Sequence, residues 1–139
     1  MKALVVPVVA AALAFPAIAG AEGPSGMSGF VIDAVTRAPL GGVTVVVARD
    51  ENPPKEKDEV VTDRHGFFTD LALRPGGYVV IVDIRNKLIS CIVDDVHEGV
   101  VRHMKILVGR SGNDSQCVGP LVRHDTVDPD ETASLYRIH

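Results

Sequence analysis

Short runs rich in Val, Ile and Phe, each cut off by Gly, Pro, Asn or Asp, recur from Gly29 to Val108, and no stretch before residue 109 sustains the i, i+3, i+4, i+7 spacing of an amphipathic helix. A chain patterned this way has no long helix to pack and must bury its apolar side chains between sheets. The runs predict strands near Gly29 to Asp33, Val43 to Arg49, Glu59 to Thr62, Phe67 to Leu73, Tyr78 to Ile84, Leu88 to Asp94 and Val100 to Val108. The expected fold is all-β, a seven-stranded antiparallel Greek-key sandwich. Alternation turns Val43, Val45 and Val47 toward the core and leaves Thr44 and Arg49 at less buried positions. Tyr78, Val80 and Val82 share one face of their strand while Val79 and Ile81 share the other, the mark of a central strand covered on both sides. Between Phe67 and Leu73 the parity is mixed, so a bulge or a second buried face is expected there.

The two ends follow different rules. Met1-Lys2, the apolar run Ala3 to Phe15, Pro16 and the small-residue stretch Ala17 to Ala21 read as a secretory signal peptide, with cleavage after residue 19 or 21. That run is shorter than the roughly 18 to 20 residues that cross a bilayer and Pro7 interrupts it, so no stable membrane insertion is expected. At the other end, Gly109 to Ser115 is a loop without apolar content. Asp128-Pro129-Asp130-Glu131 reads as a helix cap leading either to a single turn through Ser134 or to an edge strand at Ser134 to Ile138. The chain thus divides into a signal peptide at 1–21, a sandwich at 22–108 and a mostly irregular C-terminal extension at 109–139.

Charge and cysteine narrow the function. Residues 1–21 carry one Lys and no acid, so the 14 basic side chains of the chain become 13 against 18 acidic ones after cleavage, a formal charge of −5. With no clustered basic face, nucleic acid is excluded as a partner. The charged segments Asn52 to Glu59 and Asp125 to Glu131 read as solvated loops. Cys91 and Cys117 are the two cysteines, and in an oxidising compartment they are expected to pair; the alternative is a buried free thiol at Cys91 with Cys117 in solvent. Cys91 lies between Ser90 and Ile92 with no base beside it, so thiol chemistry is not expected.

Two stretches resemble the carboxypeptidase regulatory-like domain of the transthyretin-like (prealbumin-like) group. The first is Gly29 to Val45, a strand, a turn with Thr36, the pair Pro39-Leu40 and the corner Gly41-Gly42. The second is Val61-Thr62-Asp63-Arg64-His65-Gly66-Phe67-Phe68 followed by Leu73-Arg74-Pro75-Gly76-Gly77-Tyr78, similar to that family's Thr-Asp-x-x-Gly-x-Phe turn and Pro-Gly-x-Tyr corner. The residues themselves suit structural work. Asp63 can accept bonds from backbone N–H groups of its turn while Gly66 accepts positive φ, Pro75-Gly76 makes the next reversal, and Tyr78 can bury its ring while its hydroxyl finds a backbone partner. Arg37 departs from the pattern, standing where the family has Gly, which implies a longer first turn; residues 109–139 have no counterpart in it. The resemblance covers residues 29 to about 108 and implies a fold. It implies little about function, since such domains usually occur as non-catalytic appendages of peptidases and outer-membrane transporters.

No catalytic set is written locally. His65, His97, His103, His124 and His139 form no His-x-His or His-x3-His spacing; a convergence of His97 with Asp94, Asp95 and Glu98 reads as solvated loop. No nucleophile elbow and no phosphate-cradling Gly-rich loop is present, and neither cofactor nor metal is expected. Hydroxyisourate hydrolases are transthyretin-like enzymes with a C-terminal Tyr-Arg signature, which Tyr136-Arg137 resembles. The following Ile138-His139 departs from that signature, and the first strand lacks the enzyme's histidine. A hydrolase of this kind would need His103 or His65 beside Arg137 in one pocket. The leading expectation is a non-enzymatic binding or structural module of the cell envelope, periplasmic or secreted, meeting an unknown protein or envelope component through its loops or an open sheet edge. N-terminal sequencing of protein recovered from outside the cytoplasm is expected to begin at Gly20 or Glu22; an intact Met1 on most of the protein would contradict the leader.

Overall fold

The computed structural model describes residues 23–51, 57–85, 87–111 and 114–125. The expectations for the leader, the capped turn after Asp128, Tyr136-Arg137 and His139 lie outside these residues. Nine strands account for the described chain: β1 Gly26–Asp33, β2 Thr44–Arg49, β3 Lys57–Val61, β4 Phe67–Leu71, β5 Gly76–Ile84, β6 Lys87–Val96, β7 Val101–Val108, β8 Gln116–Val118 and β9 Val122–Asp125. They form a five-stranded sheet in the order β9-β6-β5-β2-β3 and a four-stranded sheet in the order β4-β1-β7-β8.

The β-branched runs take up strand because Val and Ile, stiff at χ1, pack well on a pleated surface. Period-two alternation then fills the space between the sheets. Val45 and Val47 of β2 and Tyr78, Val80 and Val82 of β5 meet Met27 and Val31 of β1 and Met104 and Ile106 of β7 in one core. Each such side chain contributes about 1.5 to 3 kcal/mol when fully buried. The opposite parity of the two central strands, Val46 and Ala48 with Val79 and Ile81, forms a second buried cluster with Leu88 packed against it. Strand β5, between β2 and β6, is therefore apolar on both faces.

The sandwich is extended relative to the seven expected strands. Residues 116–118 and 122–125, in the segment expected to be mostly irregular, add β8 to the smaller sheet and β9 to the larger. Strands of three and four residues with one or two apolar side chains give almost no periodic signal, and their pairing is enforced from elsewhere. The Cys91–Cys117 disulfide joins β6 in one sheet to β8 in the other, with Cα atoms 5.9 Å apart. Lys87 Nζ holds the preceding loop by donating to Gly109 O at 2.9 Å and Arg110 O at 3.0 Å. Buried Ser115 accepts from Gly109 N–H at 2.9 Å and donates to Ser111 O at 2.9 Å.

Three local features differ from the sequence reading. One pair, β1 with β7, runs parallel while the other pairs run antiparallel. The irregularity expected between Phe67 and Leu73 falls later, at Gly76/Tyr78 opposite β6, and β4 simply ends at Leu71 before Ala72 at φ 68°. Arg37 adopts φ 67°, so an arginine holds the left-handed conformation that glycine would take most easily. Its turn is supported by Asp33 Oδ1, which accepts from the N–H groups of Val35 at 2.8 Å and Thr36 at 3.0 Å.

The disulfide closes a span of 26 residues. Reduction, or Cys117→Ser, is expected to lower unfolding stability by about 3 kcal/mol in urea titrations and to expose the segment after Val108 to protease while the rest of the sandwich stays folded.

Candidate functional site

The parallel register of β1 on β7 sets Ser28 beside His103, Gly29 beside Met104 and Phe30 beside Lys105. Met27 and Val31 point into the core, so Ser28 and Phe30, of the other parity, point out of the four-stranded sheet. Phe67 from β4 pairs with Phe30, and Val118 from β8 pairs with Lys105. Together these side chains line an open hollow of about 580 Å³ on the outer face of that sheet.

Its walls are mostly apolar. The rings of Phe30 and Phe67 lie 5.1 Å apart at a tilt of 51°. Gly29 lends the hollow only its backbone, because its Cβ position faces inward, where an added carbon would stand 2.7 Å from Met104 O and 2.9 Å from the buried Phe68 ring. The polar feature is the contact of Ser28 Oγ with His103 Nδ1 at 2.7 Å. With the ring proton on Nε2, the serine hydroxyl donates to Nδ1 and the Nε2–H faces outward. Lys105 supplies a cation at the side. This arrangement suits a flat, largely apolar molecule bearing one acceptor or anionic group.

The residues singled out in the sequence stand elsewhere. Asp63 Oδ1 accepts from the N–H groups of His65 at 2.8 Å and Phe67 at 3.1 Å, and these bonds, Phe67 first, hold its carboxyl below the usual range. Gly66 follows at φ 75°, where an added Cβ would meet Val31 O at 2.5 Å. After Pro75 and Gly76, the buried Tyr78 donates its hydroxyl proton to Arg74 O at 2.6 Å and accepts from Arg49 Nη1 at 3.2 Å, with the guanidinium 5.5 Å from its ring centre. Pro75 O accepts from the same guanidinium at 3.3 Å. Asp63, Gly66, Pro75, Gly76 and Tyr78 thus frame the turns and line no part of the hollow. Cys91 and Cys117 bridge the sheets.

Among the described histidines, His103 alone lines the hollow. His65 accepts from Arg64 Nε at 3.3 Å in its turn. His97 pairs with Asp95 at 2.6 Å, whereas Asp94 is 3.5 Å from Arg123, so the loop cluster is split between partners. Among the described residues no three His, Cys, Asp or Glu side chains gather as metal ligands. Sequence reasoning missed Ser28, Phe30, Phe67, Lys105 and Val118. The one available signal was Phe30, out of phase with Val31 in a strand whose other face is the core; which strands flank it is a tertiary fact.

A solved structure, the 5-hydroxyisourate hydrolase of Klebsiella pneumoniae, is similar to this chain with a TM-score of 0.51, covering 69% of this chain and 93% of its own at 21% identity. The fold is transthyretin-like. No protein-family model matches the chain, and no curated protein does so. At this identity the likeness establishes the transthyretin-like sandwich and leaves the chemistry of the hollow to be argued from its own residues. Among the described residues no helix is long and apolar enough to cross a membrane. Gly29→Ala is expected to overpack the core against Met104 and Phe68 and to cost about 1 to 3 kcal/mol, read as a lower urea midpoint at unchanged m-value.

Proposed function

We propose that this chain is an exported, non-enzymatic binding module of the carboxypeptidase regulatory-like kind, which takes a flat and largely apolar ligand on the outer face of its four-stranded sheet. The observation that carries this reading is the apolar hollow of about 580 Å³ walled by Phe30, Phe67 and Val118, with Ser28, His103 and Lys105 as its polar groups. Apolar area supplies the affinity and the few polar groups supply orientation. Export rests on the leader sequence together with the Cys91–Cys117 bond, a pairing favoured in oxidising compartments. The surface invoked is the sheet face, in place of the loops or edge considered from sequence.

A second reading, a small transthyretin-like hydrolase, draws support from the Ser28–His103 contact. A serine nucleophile needs its base oriented by a third group, and among the described residues no carboxylate bonds the imidazole. Binding therefore ranks ahead of catalysis.

Titration with the fluorescent probe anilinonaphthalene sulfonate separates the two. Saturable binding to the folded protein is expected, weakened about tenfold or more by Phe30→Asp, since losing a buried aromatic contact removes at least 1.5 kcal/mol or so. Hydrolysis of p-nitrophenyl acetate is expected to stay at the rate of free imidazole and to be unchanged by Ser28→Ala. Undiminished probe binding by Phe30→Asp would remove the hollow as the site, and a Ser28-dependent ester turnover would favour the hydrolase.

A further inference from the structure

The outer face of the five-stranded sheet, on the side of the molecule away from the hollow, is buried although the other sheet packs elsewhere. Val46 and Ala48 of β2 and Val79 and Ile81 of β5 are 1%, 0%, 3% and 0% exposed, and Ser90 of β6 is 5% exposed. The four-stranded sheet packs on the opposite parity, against Val45, Val47, Tyr78, Val80 and Val82. Among the described apolar residues, Leu88 packs against the outer cluster, and it belongs to the same sheet. Strand neighbours flank a side chain without capping it, so the free face of a sheet keeps its outward atoms in water. A third layer therefore covers this face.

Strand pairing locates the covered band. The register sets Val46 beside Ile81, Ile81 beside Ser90 and Ser90 beside Asp125, one row across β2, β5, β6 and β9. On its other side Val46 pairs with Glu59 of β3, where Lys57, Glu59 and Val61 are exposed. The band thus lies over β6, β5 and β2, adjoining β9 and ending short of β3. Asp125 ends β9 in that same row, and 14 residues follow it, 126–139. Three strand spacings separate β9 from β2, roughly 14 Å, whereas a chain of this length extends to about 46 Å. Val127, Ala133, Leu135, Tyr136 and Ile138 give the segment apolar side chains to match an apolar face. Residues 52–56, Asn-Pro-Pro-Lys-Glu, lead into the exposed β3 and carry no Val, Leu, Ile or aromatic side chain.

We propose that residues 126–139 dock across β6, β5 and β2 as a third layer, seating Leu135, Tyr136 and Ile138 on Val46, Ala48, Val79 and Ile81. The sheet face is then an intramolecular receptor for the chain's own tail, held by apolar contact. Docking also removes a contiguous apolar patch at which copies of the chain would associate. The tail is delivered to its seat. Cys91–Cys117 anchors β8, and β9 pairs along β6, so the segment begins beside the band and closes only a short loop to reach it. This inference is independent of the ligand reading, because the hollow lies on the other sheet.

Paramagnetic relaxation in the full mature chain tests the docking. A nitroxide is placed on Ser134→Cys, the native cysteines being bonded to each other. It is expected to broaden the methyl resonances of Val46, Val79 and Ile81 in the monomer and to spare Val118, which lines the hollow on the other sheet. Leu135→Asp combined with Ile138→Asp is expected to abolish the broadening and to lower Tm by on the order of 10 °C. Ending the chain at Asp125 is expected to lower Tm as much and to promote self-association. Should these variants fail to fold, the labelled Ser134→Cys chain decides alone. Unbroadened Val46, Val79 and Ile81 in the monomer would overturn the proposal, as would an unchanged Tm in the double variant. Broadening that is lost on dilution to the monomer would also overturn it, assigning the face to a second copy.

Discussion

The parallel pairing of β1 with β7, unbroken from Gly26↔Val101 to Asp33↔Val108, is the constraint on which the molecule's two faces depend. Side chains alternate with a period of two, so a single register assigns every residue of both strands at once. Met27, Val31, Met104 and Ile106 are committed to the core, and Ser28, Phe30, His103 and Lys105 to the outer face. A slip of one residue would exchange the two sets, exposing methionine and isoleucine and burying lysine. The core therefore protects the register, and the register composes the hollow. The same coupling explains Gly29: it lies opposite Met104 in the ladder, and the close approach of Met104 and Phe68 leaves no space for a side chain.

A two-layer sandwich has open seams where the sheets part, and this chain treats its seams by different chemistry. Where β8 and β9 lie, a covalent bond from Cys91 to Cys117 crosses between the layers and Val122 packs on the core beside it. Where β3 and β4 lie, the crossing is made by the turn Thr62 to Gly66. Thr62 Oγ1 accepts from Val43 N–H at 2.9 Å and donates to Leu40 O at 2.7 Å, and Asp63 ties the turn to Phe67. Beyond that turn the apolar filling gives way to Asp58 and Asp70.

Much of the frame was legible because its cause is local. The valine alternation in β2 and the doubly apolar β5 follow from parity alone, and apolar side chains on both faces of β5 are buried. Asp63, Gly66 and Tyr78 bond within a few residues of themselves, so their spacing carries the geometry. The short strands β8 and β9 were illegible for the opposite reason: three or four residues with little apolar content form strand only because distant β7 and β6 offer edges. The position of Arg37 was legible as a turn, but its left-handed φ was not, since arginine is a poor advertisement for that conformation.

By itself the sequence determined an all-β chain with a core of valine, isoleucine and phenylalanine, tight turns at Asp63 and Pro75, and two cysteines available to pair. Those properties depend on alternation, turn chemistry and redox chemistry, all readable over a few residues. Which strands become neighbours was decided only by the tertiary structure. Ser28 and His103 are 75 residues apart in the chain. The side chains that could do chemistry are brought together by long-range strand order and register, and those are selected by the fit of the whole core, which no short segment contains.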